Sequence, residues 1–203
     1  MNPTDTSHPK IPNTNQPISS FVLNRWSVRS FSDQMISPAI LDHLFEAASW
    51  APSSMNEQPW VYLYGWRGDA LFETIWNCLL PGNQPWTKNA SVLMLSLAKK
   101  NHASLGKPNK YNLYDVGAAN QTLLLEAASL GILGHQMGGF DIPKILVALN
   151  IPNTLEPSVC LALGYPDTAD KLEEPFYTRE ISARTRKATE MFAFQGKLPE
   201  TDF

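Results

Sequence analysis

Cysteine is scarce in this chain. Cys78 and Cys160 are the two present among 203 residues, and no CxxC spacing joins them. Each lies in an apolar setting ("WNCLL", "SVCLALG"), which reads as buried free thiols rather than a disulfide or a redox pair. His8, His43, His102 and His135 make no HExxH or comparable ligand spacing, so a metal enzyme is not expected. No GxGxxG follows a strand and no GxxxxGK[ST] occurs, which leaves a Rossmann dinucleotide site and a P-loop without a signal. An excess of positive charge is missing as well. The net charge of −3 and pI near 5.8 argue against nucleic acid as the partner. The longest apolar runs, such as "SVLMLSLA", are too short for a bilayer, and "MNPTDTSHPK" lacks a cationic start followed by an apolar stretch. A soluble, cytoplasmic protein is the expectation.

What the sequence does hold is a globular composition, 43% hydrophobic and 17% charged, over a length that suits one domain. Residues 1–20 mix Asn, Pro, Thr and Ser and read as a flexible arm, with order beginning near Phe21. Ser37 followed by Pro38 supplies an N-cap and a first helical position, and Ile40, Leu41, Leu44, Phe45 and Ala48 continue at helical spacing. "WVYLYGW" (60–66), "SVLMLSLA" (91–98) and "SVCLALGY" (158–165) read as strands. Residues 69–80, 115–130 and 142–149 read as helices, with Gly131 closing the long central one. "PGNQPW", 101–113 and "GGFD" read as loops, and the tail from Pro166 is polar with clustered Arg and Lys. This alternation indicates α/β or α+β architecture.

Four clusters carry chemical interest. In "RWSVRSF", alternate positions place Arg25, Ser27 and Arg29 on one side of an extended stretch, where guanidiniums and a hydroxyl suit a phosphate. "APSSMNEQPW" gathers Pro52, Ser53, Ser54, Asn56 and Gln58 between an apolar helix and an apolar strand, and amides both donate to and accept from a heterocycle edge. "MGGFD" offers Gly138 and Gly139 for close approach to a flat ligand. "RTRK" sets Arg184 and Arg186 two apart in the tail. Taken singly, each also fits an ordinary turn or a solvated face.

In order and spacing the clusters resemble the nitroreductase family of FMN-dependent oxidoreductases. The family's R-x-S-x-[RK] run is matched at 25–29, its A-P-S-S/x-x-N-x-Q-P-W segment by "APSSMNEQPW", and its central helix by "DVGAANQTLLLEAASLG". "GGFD", "LALGYP" and the closing R-x-R segment complete a likeness over roughly residues 21–188. The resemblance implies an α+β fold with a central, mainly antiparallel sheet flanked by helices, in an intertwined homodimer with two FMN sites. It divides the chain into an arm (1–20), an FMN-binding domain (21–165) and a C-terminal extension (166–203) that serves the phosphate site and the dimer. Arg25, Ser27 and Arg29 would meet the flavin's phosphate, ribityl chain and pyrimidine edge, and Arg184 and Arg186 its phosphate. Pro52, Ser53, Ser54, Asn56 and Gln58 would reach the FMN held mainly by the other subunit, Asn83 would be a further flavin contact, and Gly138 and Gly139 would lie against the isoalloxazine.

The activity so implied is ping-pong: hydride passes from NAD(P)H to flavin, and electrons then pass to a nitroaromatic or quinone-type acceptor, with no side chain as nucleophile. A non-enzymatic FMN carrier or sensor, and a flavin-destroying or dehalogenating relative with 101–113 as a lid, are the alternatives. His135 and Gln136 read as packed side chains with no assigned substrate contact.

Overall fold

The computed structural model describes residues 9–12 and 14–199. The rest of the expected N-terminal arm and the last residues of the C-terminal extension lie outside the described residues. In chain order the elements are α1 (Ser20–Asn24), α2 (Pro38–Ser49), β1 (Trp60–Trp66), α3 (Ala70–Cys78), α4 (Gln84–Thr87), β2 (Val92–Lys99), α5 (Asn112–Ser129), β3 (Leu133–Met137), α6 (Ile142–Ala148), β4 (Leu155–Gly164) and α7 (Phe176–Ile181). The strands form one four-stranded sheet in the order β1-β2-β4-β3, antiparallel at every pairing. The α+β expectation holds.

Period-two alternation along β2 sorts its side chains onto two faces. Leu93, Leu95 and Leu97 join Phe72 and Ile75 of α3 on one side. Val92 and Met94 join Leu41 and Leu44 of α2 with Leu123 and Leu124 of α5 on the other. Ser96 falls on the α5 face as a polar exception, and its hydroxyl is satisfied by the Val159 carbonyl at 3.0 Å and by Asn120 Nδ2 at 3.1 Å. Two glycines let helices press onto the sheet. A Cβ on Gly65 would stand 2.2 Å from the Phe72 backbone nitrogen, and one on Gly134 would stand 2.2 Å from Leu124 Cδ2.

Local signals set the helix ends. Ser37 Oγ accepts from Ile40 N at 3.3 Å, capping α2 ahead of Pro38. At the end of α5, Gly131 adopts φ +73°, Gly131 N donates to the Ala128 carbonyl and Ile132 N to the Ala127 carbonyl, a Schellman closure. Four segments differ from the sequence reading: α1 forms at residues 20–24, α4 begins within "PGNQPW" at Gln84 and runs to Thr87, residues 133–137 form strand β3, and the polar tail contains α7. The central helix also starts earlier than expected, so residues 112–113 belong to it rather than to the preceding loop. Among the described residues no helix is long and apolar enough to cross a membrane.

Candidate functional site

Residues 25–31 run extended, with Trp26, Val28, Ser30 and Phe31 buried and Arg25, Ser27 and Arg29 on the open side. The alternation expected from the sequence is therefore present, and a feature absent from the sequence reading anchors it. Glu180 of α7, itself 4% exposed, accepts from Trp26 Nε1 at 3.0 Å and from Arg29 N at 2.9 Å. Ser30 Oγ donates to the Thr168 carbonyl at 2.5 Å, and Phe31 bridges to Pro166.

Arg184 reaches the same place from the far end of the chain. Its Nη1 donates to the Arg25 carbonyl at 2.6 Å and its Nη2 to the Leu23 carbonyl, while its Nε is buried with no hydrogen-bond partner among the described residues. Arg186 lies close enough for its charge to lower the pKa of both Arg25 and Arg184. Burial is the larger cause at each of those two, and Arg25 adds to the effect on Arg184. Burial likewise lowers Arg29, opposed by Glu180 and assisted by Arg179. Guanidiniums stay protonated in proteins, so these shifts mean that like charges have been gathered and partly dehydrated. Among the described residues no carboxylate forms an ion pair with Arg25, Arg184 or Arg186. Such a cluster suits a dianion such as a phosphate.

His135, on β3, borders this cluster. Its Nδ1 lies 3.0 Å from the Val28 carbonyl, and since a carbonyl only accepts, Nδ1 carries the proton. The ring stacks on Trp86 at 4.4 Å, and the Arg29 guanidinium sits 5.9 Å from the centre of the Trp86 ring. Burial is the main cause that lowers its pKa to about 4; the Val28 bond opposes this, and Arg29 and Arg25 add to it. His135 is therefore neutral at physiological pH. Gln136 turns to the other face, where its Oε1 accepts from Asn120 Nδ2 at 3.3 Å. Both fit the packed reading.

β3 ends at Met137 and delivers Gly138 and Gly139. A Cβ placed on Gly138 would meet nothing within 4 Å, so that side of the chain is open. Gly139 is closed: its Cβ would lie 2.6 Å from Asn83 Nδ2, which donates to the Gly139 carbonyl at 3.0 Å. Leu80 N donates to the same carbonyl at 3.0 Å. Asn83 thus braces the glycine pair from the turn before α4.

The loop holding Pro52, Ser53, Ser54, Asn56 and Gln58 is not brought to the arginines within this chain. It leads into β1, at the opposite edge of the sheet from β3, three strand spacings or about 14 Å away laterally. Met55, Asn56 and Gln58 all take left-handed φ, at 54°, 55° and 47°. For side-chain-bearing residues this is sparsely populated backbone, which persists only where the surroundings fix it. Here Ser54 N donates to Asp115 Oδ2 at 3.0 Å, and Gln58 N donates to Ser53 Oγ at 3.1 Å. Gln58 Nε2 also reaches Asn56 Oδ1 at 3.2 Å. Glu57 accepts from Ala103 N at 2.8 Å and Ser104 Oγ at 3.0 Å, and it lies 3.6 Å from His102 Nδ1. Those contacts fasten the 101–108 hairpin to this loop rather than over the arginines. A cavity of about 280 Å³ opens beside the loop, lined by Pro52, Ser53, Ser54, Tyr111, Tyr114 and Asp115. Trp50, Met55, Tyr111 and Tyr114 leave large apolar surface exposed nearby.

Known proteins resemble this chain in sequence and in fold. A putative NADH dehydrogenase/NAD(P)H nitroreductase of Archaeoglobus fulgidus is 29% identical over 161 residues, covering 77% of this chain and 87% of that protein. An FMN reductase [NAD(P)H] of Bacillus subtilis is 27% identical over 169 residues, covering 75% of this chain and 66% of that one. A solved structure described as an oxidoreductase containing FMN superposes with a TM-score of 0.87 at 29% identity, over 95% of this chain and 98% of that one. The model of the nitroreductase family matches residues 22–76 and 70–165, and the chain belongs to that family.

Proposed function

We propose that this chain is an FMN-dependent oxidoreductase that uses NAD(P)H to reduce nitroaromatic or quinone-type acceptors, working as a homodimer. The observation that carries the reading is the cluster of Arg25, Arg184 and Arg186, which among the described residues has no carboxylate partner and leaves the buried Arg184 Nε without a hydrogen bond. It fits the phosphate of FMN in charge and in donor supply. Bound there, FMN would accept two electrons from NAD(P)H and return two to the acceptor in a separate half-reaction, a ping-pong sequence.

The residues divide the remaining work. Arg25, Arg184 and Arg186 neutralise and orient the phosphate. Ser27 and Arg29 would take the polar parts further along the cofactor, and the fixed positive charge of Arg29 there would favour its uptake of electrons. Gly138 leaves one side of the chain clear for a flat ring system, and Asn83 holds its neighbour in place. His135 supplies a neutral wall rather than a proton at physiological pH.

The 52–58 loop serves the partner's cofactor. It is rigidly set and rich in donors and acceptors, and it lies across the sheet from the arginines, so a two-fold axis would complete two sites at once. The apolar surface around Trp50, Met55 and Tyr114 suits burial against that second copy. The chain then works as an arm (1–20), a flavin-binding domain (21–165) and an extension (166–203) that brings the second arginine pair.

An anaerobic stopped-flow trace of the purified flavoprotein tests this. Addition of NADH or NADPH is expected to bleach the bound flavin, and a quinone or nitroaromatic to restore it. Bound FMN that neither nucleotide bleaches would point to a carrier, a sensor or a flavin-destroying or dehalogenating enzyme. Protein that takes up no FMN on reconstitution would refute the assignment.

A further inference from the structure

We propose that Glu180 is a positioning residue for the anion-binding face: its two carboxylate oxygens fix which side of residues 25–29 the arginines present. The proposal rests on the FMN reading above and assigns a role to a residue outside the motifs that suggested it.

An extended stretch has two sides, and turning it over exchanges them completely. In "RWSVR" one side holds two arginines and a serine, and the other holds Trp26 and Val28. Hydrophobic burial favours the observed orientation, but the indole N–H would then be buried and would need an acceptor. Glu180 supplies it at 3.0 Å, and its second oxygen takes the Arg29 amide at 2.9 Å. One carboxylate therefore grips a side chain on the inner side and the main chain of an outward-facing residue three positions on. Rotation of the stretch would break both bonds and leave a carboxylate buried without donors, a costly arrangement.

Glu180 is itself held. It is 4% exposed on α7, and Lys10 Nζ donates to the carbonyl of the preceding residue, Arg179, at 2.6 Å. The charges facing it are those of Lys10 and Arg29. Four residues beyond Glu180 the chain reaches Arg184, whose guanidinium bonds the Arg25 carbonyl. The segment 180–184 thus clamps both ends of residues 25–29.

Coulomb's law alone makes the opposite prediction for Glu180. A carboxylate next to an anion site repels the anion, so removing its charge would tighten phosphate binding. Positioning predicts weaker binding, so the two effects differ in sign. Glu180→Gln keeps the volume and one acceptor oxygen but sets an NH₂ group against the other donor. Loss of one charge-assisted bond is expected to weaken FMN binding about tenfold.

The experiment titrates apoprotein with FMN and with riboflavin, which lacks the phosphate, and follows flavin fluorescence in wild type and Glu180→Gln. The expected result is weaker FMN binding with a smaller loss for riboflavin, which still meets Ser27 and Arg29 but not the phosphate contacts, so that the preference for FMN shrinks. Trp26→Phe, which removes the indole donor together with part of the ring's volume, is expected to shift the preference in the same direction by less, and it decides the matter by the same criteria if Glu180→Gln does not fold. FMN binding that is unchanged or tighter overturns the proposal. An equal loss for both flavins also overturns it, because that is the mark of general destabilisation. A wild-type protein that binds both flavins equally would instead refute the phosphate assignment, and the proposal with it.

Discussion

Replacing Gly138 by alanine separates what the protein needs from what a ligand needs. A Cβ there meets no atom within 4 Å, and the residue is not in the left-handed region, so the folded apoprotein accommodates the methyl without strain. The unfolded chain loses conformational freedom, so the apoprotein gains about 0.4–1 kcal/mol. For a chain of this size that raises its Tm by about 1–4 °C. A flat cofactor lying against that open side would feel the opposite effect. It would have to retreat or tilt around the added carbon and lose dispersion contacts over the ring, weakening FMN binding about tenfold. At saturating FMN such a loss lowers ligand-linked stability by about 1.4 kcal/mol, more than the apoprotein gains. The apoprotein's melting temperature should therefore rise while the holoprotein's falls. Differential scanning fluorimetry with and without FMN reads both. A rise in both states would mean that the open side of Gly138 does not face the cofactor, and a fall in the apoprotein would show that the space is not open.

Arg25→Ala should weaken FMN by about ten- to a hundredfold while sparing riboflavin, since the Arg25 carbonyl that holds Arg184 is retained; equilibrium dialysis with both flavins checks this. His135, with a folded pKa near 4 against an unfolded value of 6.5, binds fewer protons when folded. Its contribution is fully present above the unfolded value and declines as pH falls toward the folded one, costing about 2 kcal/mol from about pH 7 to about pH 5. Urea titrations of wild type and His135→Gln at those two pH values should show the wild type losing that much more than the variant, and equal losses would contradict the assignment. Gly65→Ala forces a methyl to within 2.2 Å of the Phe72 backbone nitrogen and should destabilise the fold by about 3 kcal/mol, read as a lowered urea midpoint at unchanged slope.

Features governed by near neighbours were legible in the sequence. Ser37 and Pro38 announce α2, and the apolar runs of β1, β2 and β4 announce buried strands. The alternation in "RWSVR" predicted which side Arg25, Ser27 and Arg29 share, because Trp26 and Val28 seek the core wherever that core lies. β3 was hidden because "LGHQM" has little strand character of its own. Pairing with β4 makes it a strand, and Gly134 is required there by Leu124 and Leu163, which fill the space a side chain would occupy. Glu180 was hidden for a related reason. Its donors are 154 and 151 residues away, and nothing adjacent to it in "TREISAR" marks it as buried. Asn83 was visible as a candidate contact, yet its hold on the Gly139 carbonyl depends on a loop 56 residues distant. Short-range signals gave the scaffold and the motif faces; the clamps that aim them are long-range.

The joining of residues 23–29 with 180–184 has a consequence for the order in which the molecule is built. The four strands and the main packing helices all lie between residues 38 and 164, so their mutual contacts are available before the later segment is synthesised. Glu180 and Arg184 emerge after all of these, and their partners at Leu23, Arg25, Trp26 and Arg29 must wait for them. A nascent chain can thus assemble its sheet before residues 180–184 are made, and on the proposed site cofactor capture waits for that segment. On that reading, flavin occupancy reports that residues 23–29 and 180–184 have met.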